Sequence, residues 1–233
     1  MGLFDLNLRA ESVYTCPPAV GPEEQDRTVF GLNGAAKRAL DIALTVPAIL
    51  FLLPIFGLIA IAIKLEGGPI LYRQVRIGRG GTRFSILKFR TMHCDADQRL
   101  SRLITNCAHS KAEWDAFQKL RRDPRVTRTG HLLRRTSLDE LPQLFNILIG
   151  DMSLVGQRPI LPSQRDAYGL HIHGYERARP GLTGLWQVSG RSSLTFEERA
   201  ALGSEYIHRW SLWFDLKLIL LTVPTVLFSR DAF

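Results

Sequence analysis

"KRALDIALTVPAILFLLPIFGLIAIAIKLEGG", residues 37–68, decides what kind of chain this is. Between Ala39 and Ile63 its only charged residue is Asp41, and a run of that length can cross a bilayer as a helix. The competing reading, a buried core helix, rarely stays apolar on every side for so long. Lys37 and Arg38 precede the run, while Lys64, Arg73, Arg76 and Arg79 follow it. Positive charge on both flanks gives the positive-inside bias no preferred orientation. Pro47 and Pro54 lie inside it, and each removes a helix hydrogen bond and bends the chain. The expectation is a single broken, re-entrant membrane helix over 37–68 that enters and leaves on the cytoplasmic face. A plain single span is the alternative.

Upstream, residues 1–36 contain Pro17, Pro18 and Pro22 with Glu23, Glu24 and Asp26, and show no period. They read as a disordered N-terminal tail and not as a signal peptide. Downstream, residues 69–233 are expected to form one cytoplasmic domain. The chain of 233 residues carries a formal net charge of +8, which calls for an anionic partner: nucleic acid, an anionic membrane surface or a phosphorylated substrate. Nucleic acid is the weakest of these, because the basic stretches lack the interleaved aromatics of a stacking platform. Three cysteines, Cys16, Cys94 and Cys107, are too few and scattered for a disulfide framework or a zinc site, which favours a reducing compartment. The histidines lack metal spacing apart from His171 and His173, which read as loop residues.

Next to the membrane segment, "PILYRQVRIGRGGTRFSILKFRTM" (69–92) alternates around a glycine turn and predicts a small β-hairpin. It holds Arg73, Arg76, Arg79, Arg83, Lys88 and Arg90 without one acid, a face suited to phosphate or lipid headgroups. Residues 95–122 read as a polar amphipathic helix. "SLWFDLKLILLTVPTVLF" (211–228) reads as a helix lying at the interface or against the domain, with Trp210 and Trp213 as anchors. The fold class that results is α+β, mostly α: one membrane helix, interfacial amphipathic helices and one hairpin.

The chemistry centres on "SLDELPQLFN" (137–146), where Asp139 and Glu140 stand side by side. Ser137 with Glu140 forms a capping-box pattern, so a helix starting near Ser137 or Asp139 would hold both acids at its positive end. On that reading one acid caps and the other is solvated. The other reading is a catalytic dyad. Upstream stand Arg121, Arg122, Arg125, Arg128, Arg134 and Arg135; downstream come the "GQRP" turn (156–159) and "RPGLTGLWQVSGR" (179–191). Carboxylates among arginines and glycine-rich loops suit phosphoryl transfer: the cations neutralise phosphate oxygens, one acid holds Mg²⁺ and the other attacks. No P-loop or dinucleotide glycine fingerprint occurs.

"KFRTM" (88–92), "DPRVTRTGHLLRRTSLDELPQLFNILIGDMSLVGQRP" (123–159), "RPGLTGLWQVSGR" (179–191) and "WSLWFDLKLIL" (210–220) together resemble the bacterial sugar transferases, the monotopic phosphoglycosyl transferases. Within that family the chain is most similar to enzymes that begin exopolysaccharide synthesis with a galactosyl or glucosyl phosphate. The resemblance implies transfer of a hexose 1-phosphate from a UDP-sugar to undecaprenyl phosphate, with UMP released, at the cytoplasmic face of the bacterial inner membrane. It implies that Asp139 is the nucleophile, that Glu140 holds Mg²⁺, and that Lys88, Arg90, Arg134, Arg158, Pro159 and Arg191 contact substrate. The implied partners are the UDP-sugar, undecaprenyl phosphate and membrane lipids, without nucleic acid; a homodimer is left open. Three departures from the family pattern stand out. Gln157 replaces the first proline of a "PRP" turn, Leu53 precedes Pro54 where a serine is usual, and Gly203 stands where an aspartate is usual. Gly203 motivates an alternative, a catalytically weak relative that binds nucleotide-sugar or partners and regulates polysaccharide initiation.

Overall fold

The structure is a computed structural model that describes residues 34–117, 120, 123–190 and 194–228. The chain is mostly helical with one antiparallel hairpin, as the sequence pattern predicts. Helix α1 spans Ala35–Leu65, so the helix begins inside the stretch read as tail; residues 1–33 lie outside the described residues. It runs through both Pro47 and Pro54 as one helical element, where the sequence reading expects a break. Each proline deletes one N–H donor, and the neighbouring turns carry the helix past it.

One side of α1 is held by the rest of the molecule. Lys37, Asp41, Thr45 and Ile49 recur at every fourth position and are buried, as are Ile59 and Ile63 further on. The opposite side is bare: Phe51 is 82% exposed and Leu58 68%, which rules out a core helix. Both ends are tied to the same body. At the start, Lys37 Nζ meets Asp215 Oδ2 at 2.6 Å and Arg38 Nη2 donates to the Leu148 carbonyl at 2.7 Å. At the end, Arg90 Nη2 donates to the carbonyls of Ile63 and Gly67, and the Thr129 N–H donates to Glu66 Oε1 at 3.0 Å.

The hairpin pairs β1 (Leu71–Ile77) with β2 (Arg83–Phe89), with Tyr72 opposite Lys88 and Arg76 opposite Phe84. Its turn over Arg79–Gly81 puts Gly80 and Gly81 at φ of 69° and 72°. The polar 95–122 stretch breaks at Cys107 into α2 (Ala96–Asn106) and α3 (Ala108–Phe117). Helix α4 (Arg128–Thr136) starts on a Thr127 cap and ends on Ser137, which is left-handed at φ 57°. The expected capping box at Ser137 is therefore not formed: Ser137 closes one helix instead of opening the next. Leu138–Glu140 make a 3-10 turn, and helix α5 (Gln143–Ile149) begins only after Pro142.

Beyond α5 lie β3 (Ser153–Val155), α6 (His171–Arg177), β4 (Gly181–Thr183), α7 (Leu185–Ser189), α8 (Phe196–His208) and α9 (Leu212–Phe228). β3 and β4 pair in parallel, Ser153 with Gly181 and Val155 with Thr183. The sequence reading did not foresee this second pair. Its strands pass so closely that a Cβ on Gly181 would lie 2.6 Å from Gly156 Cα. The core gathers Ile49, Ile86, Leu144, Ile147 and Met152 between α1, β2 and α5. A second cluster seats Ile59 and Ile63 on Phe89 and Leu133. Asn146 joins α5 to β2: it accepts from the Leu87 N–H at 2.9 Å and donates to the Ser85 carbonyl at 2.8 Å. That bond fixes the strand carrying Lys88 against the turn carrying the acid pair.

Candidate active site

Strand alternation places Arg76, Ile86 and Lys88 on one face of the hairpin. The 3-10 turn brings Asp139 and Glu140 against that face. Lys88 Nζ contacts Glu140 Oε1 at 2.6 Å and stands 3.8 Å from Asp139 Oδ2. Arg134, in the last turn of α4, donates from Nε to Thr91 Oγ1 at 3.0 Å and acts electrostatically on Asp139. From the other side, the loop after β3 supplies Arg158 and Pro159. Arg76 Nη1 donates to the Pro159 carbonyl at 3.1 Å, which links the hairpin to that loop. The result is a small cleft lined by Arg76, Lys88, Glu140, Gln143, Arg158 and Gln187 among others, with Asp139 beside it.

The two acids are adjacent in sequence and differ in chemistry. Asp139, with its side chain only 13% exposed, is pushed up to about 6 by burial; Lys88 and Arg134 pull against this, and Glu140 adds to it. Burial also pushes Glu140 up, but Lys88, then Arg158 and Arg76, outweigh it and hold Glu140 below the usual carboxylate range. Arg76 itself falls to about 10 through burial and the nearby Arg158. One carboxylate is thus held firmly ionised, while its neighbour keeps a basicity suited to attack near neutral pH.

The structure brings Lys88, Arg134, Asp139, Glu140, Arg158 and Pro159 together. It places Arg90 elsewhere: that side chain is 7% exposed and its guanidinium holds the end of α1 and Cys94 Sγ. Arg191 lies outside the described residues, as do Arg121 and Arg122. Arg76, Gln143 and Gln187 are cleft residues absent from the sequence-based set. Arg76 could have been found, because it shares the parity of Lys88 across the hairpin turn. Trp186 also enters from the structure: Arg158 and Arg199 each lie 5.3 Å from its ring centroid. His171 opens α6 and pairs with Ser204 Oγ at 2.8 Å, while Trp210 Nε1 donates to Asp215 at 3.0 Å. Among the described residues no group of three His, Cys, Asp or Glu converges on one point. Glu140 carries the hard oxygen donors that a cation shared with substrate phosphates would need.

The pattern that defines bacterial sugar transferases matches residues 32–229, so the chain belongs to that family. It is 42% identical over 211 residues to exopolysaccharide production protein ExoY of Rhizobium meliloti, covering 90% of this chain and 93% of that one. It is 45% identical over 206 residues to the UDP-glucose:undecaprenyl-phosphate glucose-1-phosphate transferase of Caulobacter vibrioides, covering 84% and 72%. A third relative, undecaprenyl-phosphate galactose phosphotransferase of Salmonella typhimurium, is 41% identical over 196 residues. There the match covers 84% of this chain and 41% of the relative, which is much longer.

Proposed function

We propose that this chain transfers a hexose 1-phosphate, of galactose or glucose, from a UDP-sugar to undecaprenyl phosphate and releases UMP. The reading rests on the relatives named for that reaction and, above all, on one observation: Lys88 joins both acids at the mouth of an arginine-lined cleft. In the first step an Asp139 oxygen attacks the sugar-bearing phosphorus. An Asp–O–P bond forms, the P–O bond to the UMP phosphate breaks, and UMP leaves with the electron pair. In the second step an oxygen of the lipid phosphate attacks the same phosphorus, and the bond to Asp139 breaks. A phosphate monoester loses its second proton near pH 6, so the acceptor oxygen attacks at neutral pH without a base. Lys88, Arg76 and Arg158 neutralise the diphosphate and stabilise the charge that develops on its oxygens. Mg²⁺ held by Glu140 and the diphosphate would supply further charge neutralisation, a role that suits a cation bound by one or two carboxylates plus phosphates.

The acceptor's prenyl tail resists leaving the bilayer by about 0.8 kcal/mol per methylene-sized unit, so the enzyme must come to it. Helix α1 serves that end as a re-entrant anchor, monotopic in one leaflet at the cytoplasmic face of the inner membrane. Its bare side carries Leu50, Phe51, Leu58 and Ile61, while both its ends hold to one body. Cysteines placed at Ala35 and Gly67 should label from the same side of sealed vesicles; labelling from opposite sides would exclude the re-entrant path. The reaction itself is tested by UMP release in nanodiscs containing undecaprenyl phosphate, across a panel of UDP-sugars with and without Mg²⁺. Turnover with UDP-galactose or UDP-glucose is expected. Nucleotide binding without turnover for any sugar would favour the regulatory alternative.

A further inference from the structure

Gly203 lies in the interior of α8, where glycine is about 1 kcal/mol less favourable than alanine. Nothing in the helix itself asks for it. The reason lies across the packing interface. A Cβ on Gly203 would stand 2.6 Å from Gln157 Cδ and 3.0 Å from Gln157 Cγ, and closer still to Oε1. The Gln157 side chain fills the space that any larger residue at 203 would need. It is only 3% exposed, and neither Oε1 nor Nε2 has a hydrogen-bond partner. A buried amide left unpaired costs about 1–3 kcal/mol, so this arrangement gives up stability twice at one contact.

The residue after Gln157 is Arg158, which lines the cleft and stacks on Trp186. Arg199 stands one helical turn before Gly203, on the same face of α8, and meets the same indole. The Gln157 carbonyl accepts from the Gly181 N–H at 2.7 Å, which anchors the loop's backbone to β4. The loop is thus fixed at its backbone by β4 and at its side chains by α8. Local sacrifices of stability gather where a site's geometry is being set.

We propose that Gly203 and Gln157 form a seat and its plug, and that the pair positions Arg158 over the cleft. Both are positioning residues, and together they set affinity for the diphosphate of the donor. The proposal rests on the UDP-sugar reading above. In Gly203→Ala the new methyl drives Gln157 and its loop away from α8. KM for the UDP-sugar should rise about tenfold with little change in kcat, since displacements of about 1 Å at positioning groups can cost up to a hundredfold. Adding Gln157→Ala removes the collision, so the double variant should match Gln157→Ala alone in KM. UDP binding measured by calorimetry should follow the same order, and it reads the pair even if no sugar is turned over. Failure of the functional reading would therefore show as absent turnover, and failure of this proposal as uncoupled affinities. An unchanged KM and UDP affinity in Gly203→Ala would overturn it, as would a double variant whose KM lies above that of Gln157→Ala alone. Should Gly203→Ala not fold, Gln157→Ala decides alone: weaker UDP binding at an unchanged melting temperature supports the pair, and wild-type affinity overturns it.

Discussion

Lys37 meets Asp215 and Lys88 meets Glu140 at the same distance, 2.6 Å, in very different surroundings. The first pair is sealed, with side chains 4% and 1% exposed. Both Asp215 oxygens are engaged: Tyr206 Oη donates to Oδ1 at 2.7 Å, and Trp210 Nε1 and Lys37 share Oδ2. Burial and the Asp215 charge push the Tyr206 hydroxyl well up, so it stays a donor. The second pair is partly open, 19% and 29% exposed, and a further carboxylate, Asp139, stands 3.8 Å from the same lysine. Lys88 is shared between the two acids, with Arg134 acting on Asp139 and Arg158 and Arg76 on Glu140. A sealed pair whose partners all lie inside the fold joins α1 to α9; a partly open pair whose lysine is shared between two acids beside a cleft is equipped to react.

That contrast breaks most sharply at Asp139. Asp139→Asn should reduce UMP release by roughly 10³-fold or more, because a nucleophile is not replaced by binding energy from elsewhere in the site. Single-turnover UMP release measures this, and a residual rate within tenfold of wild type would move the nucleophile elsewhere. Asp215→Ala should do the reverse. It strands Lys37 and Tyr206 in the interior, so the midpoint of denaturant unfolding should report a loss of about 3–5 kcal/mol. Turnover per folded molecule should persist. A small stability change there would mean that the sealed pair is not sealed in solution.

Lys88→Met tests the open pair more gently. Lys88 depresses both acids, so its removal raises Asp139 from a value already near 6 and raises Glu140 with it. The acid limb of the pH–rate profile should move upward, and the rate at pH 7 should fall about 10²-fold, with part of it recovered above pH 8. A lower rate with an unmoved acid limb would make Lys88 a phosphate ligand only.

Much of this arrangement was legible in the sequence, and the illegible parts share a cause. The hydropathy of 39–63 announced α1, and alternation around "GRGG" announced the hairpin with Lys88 on it. The acid pair stood out because two carboxylates among many arginines is a local pattern. Arg90 shares both the motif and the strand parity of Lys88, but β2 ends at Phe89, and past that end its guanidinium turns to the end of α1. Ser137 in the left-handed region could not be foreseen, since a serine before an acid reads as a cap in one dimension. The β3–β4 pair is three residues a side, too short for any period. Gln157 and Gly203 meet across distant sequence, where single residues carry no sign of their partner.

The smallest expected effect is also the one that isolates why the open pair differs. Asp139 has an ordinary value of 3.8 and a folded value of about 6, so the folded chain binds its proton more tightly than the unfolded chain does. The stability this contributes is fully present below pH 3.8 and is lost as pH rises through about 6. Glu140 runs the other way: its folded value is lowered, so its contribution holds at neutral pH and fades as pH falls. A pH series on the wild type alone would mix the two. Subtracting Asp139→Asn removes most of the Glu140 contribution, because asparagine stands for the protonated aspartate. Below about pH 3.8 the two proteins should melt together; the gap should open as pH rises past that value and level off just above pH 6, where the variant should be the more stable by about 3 kcal/mol. Thermal melts at half-unit pH steps would read it. A gap independent of pH would mean that Asp139 titrates as an ordinary surface acid, and the chemical asymmetry between the two lysine–carboxylate pairs would then have to come from access alone.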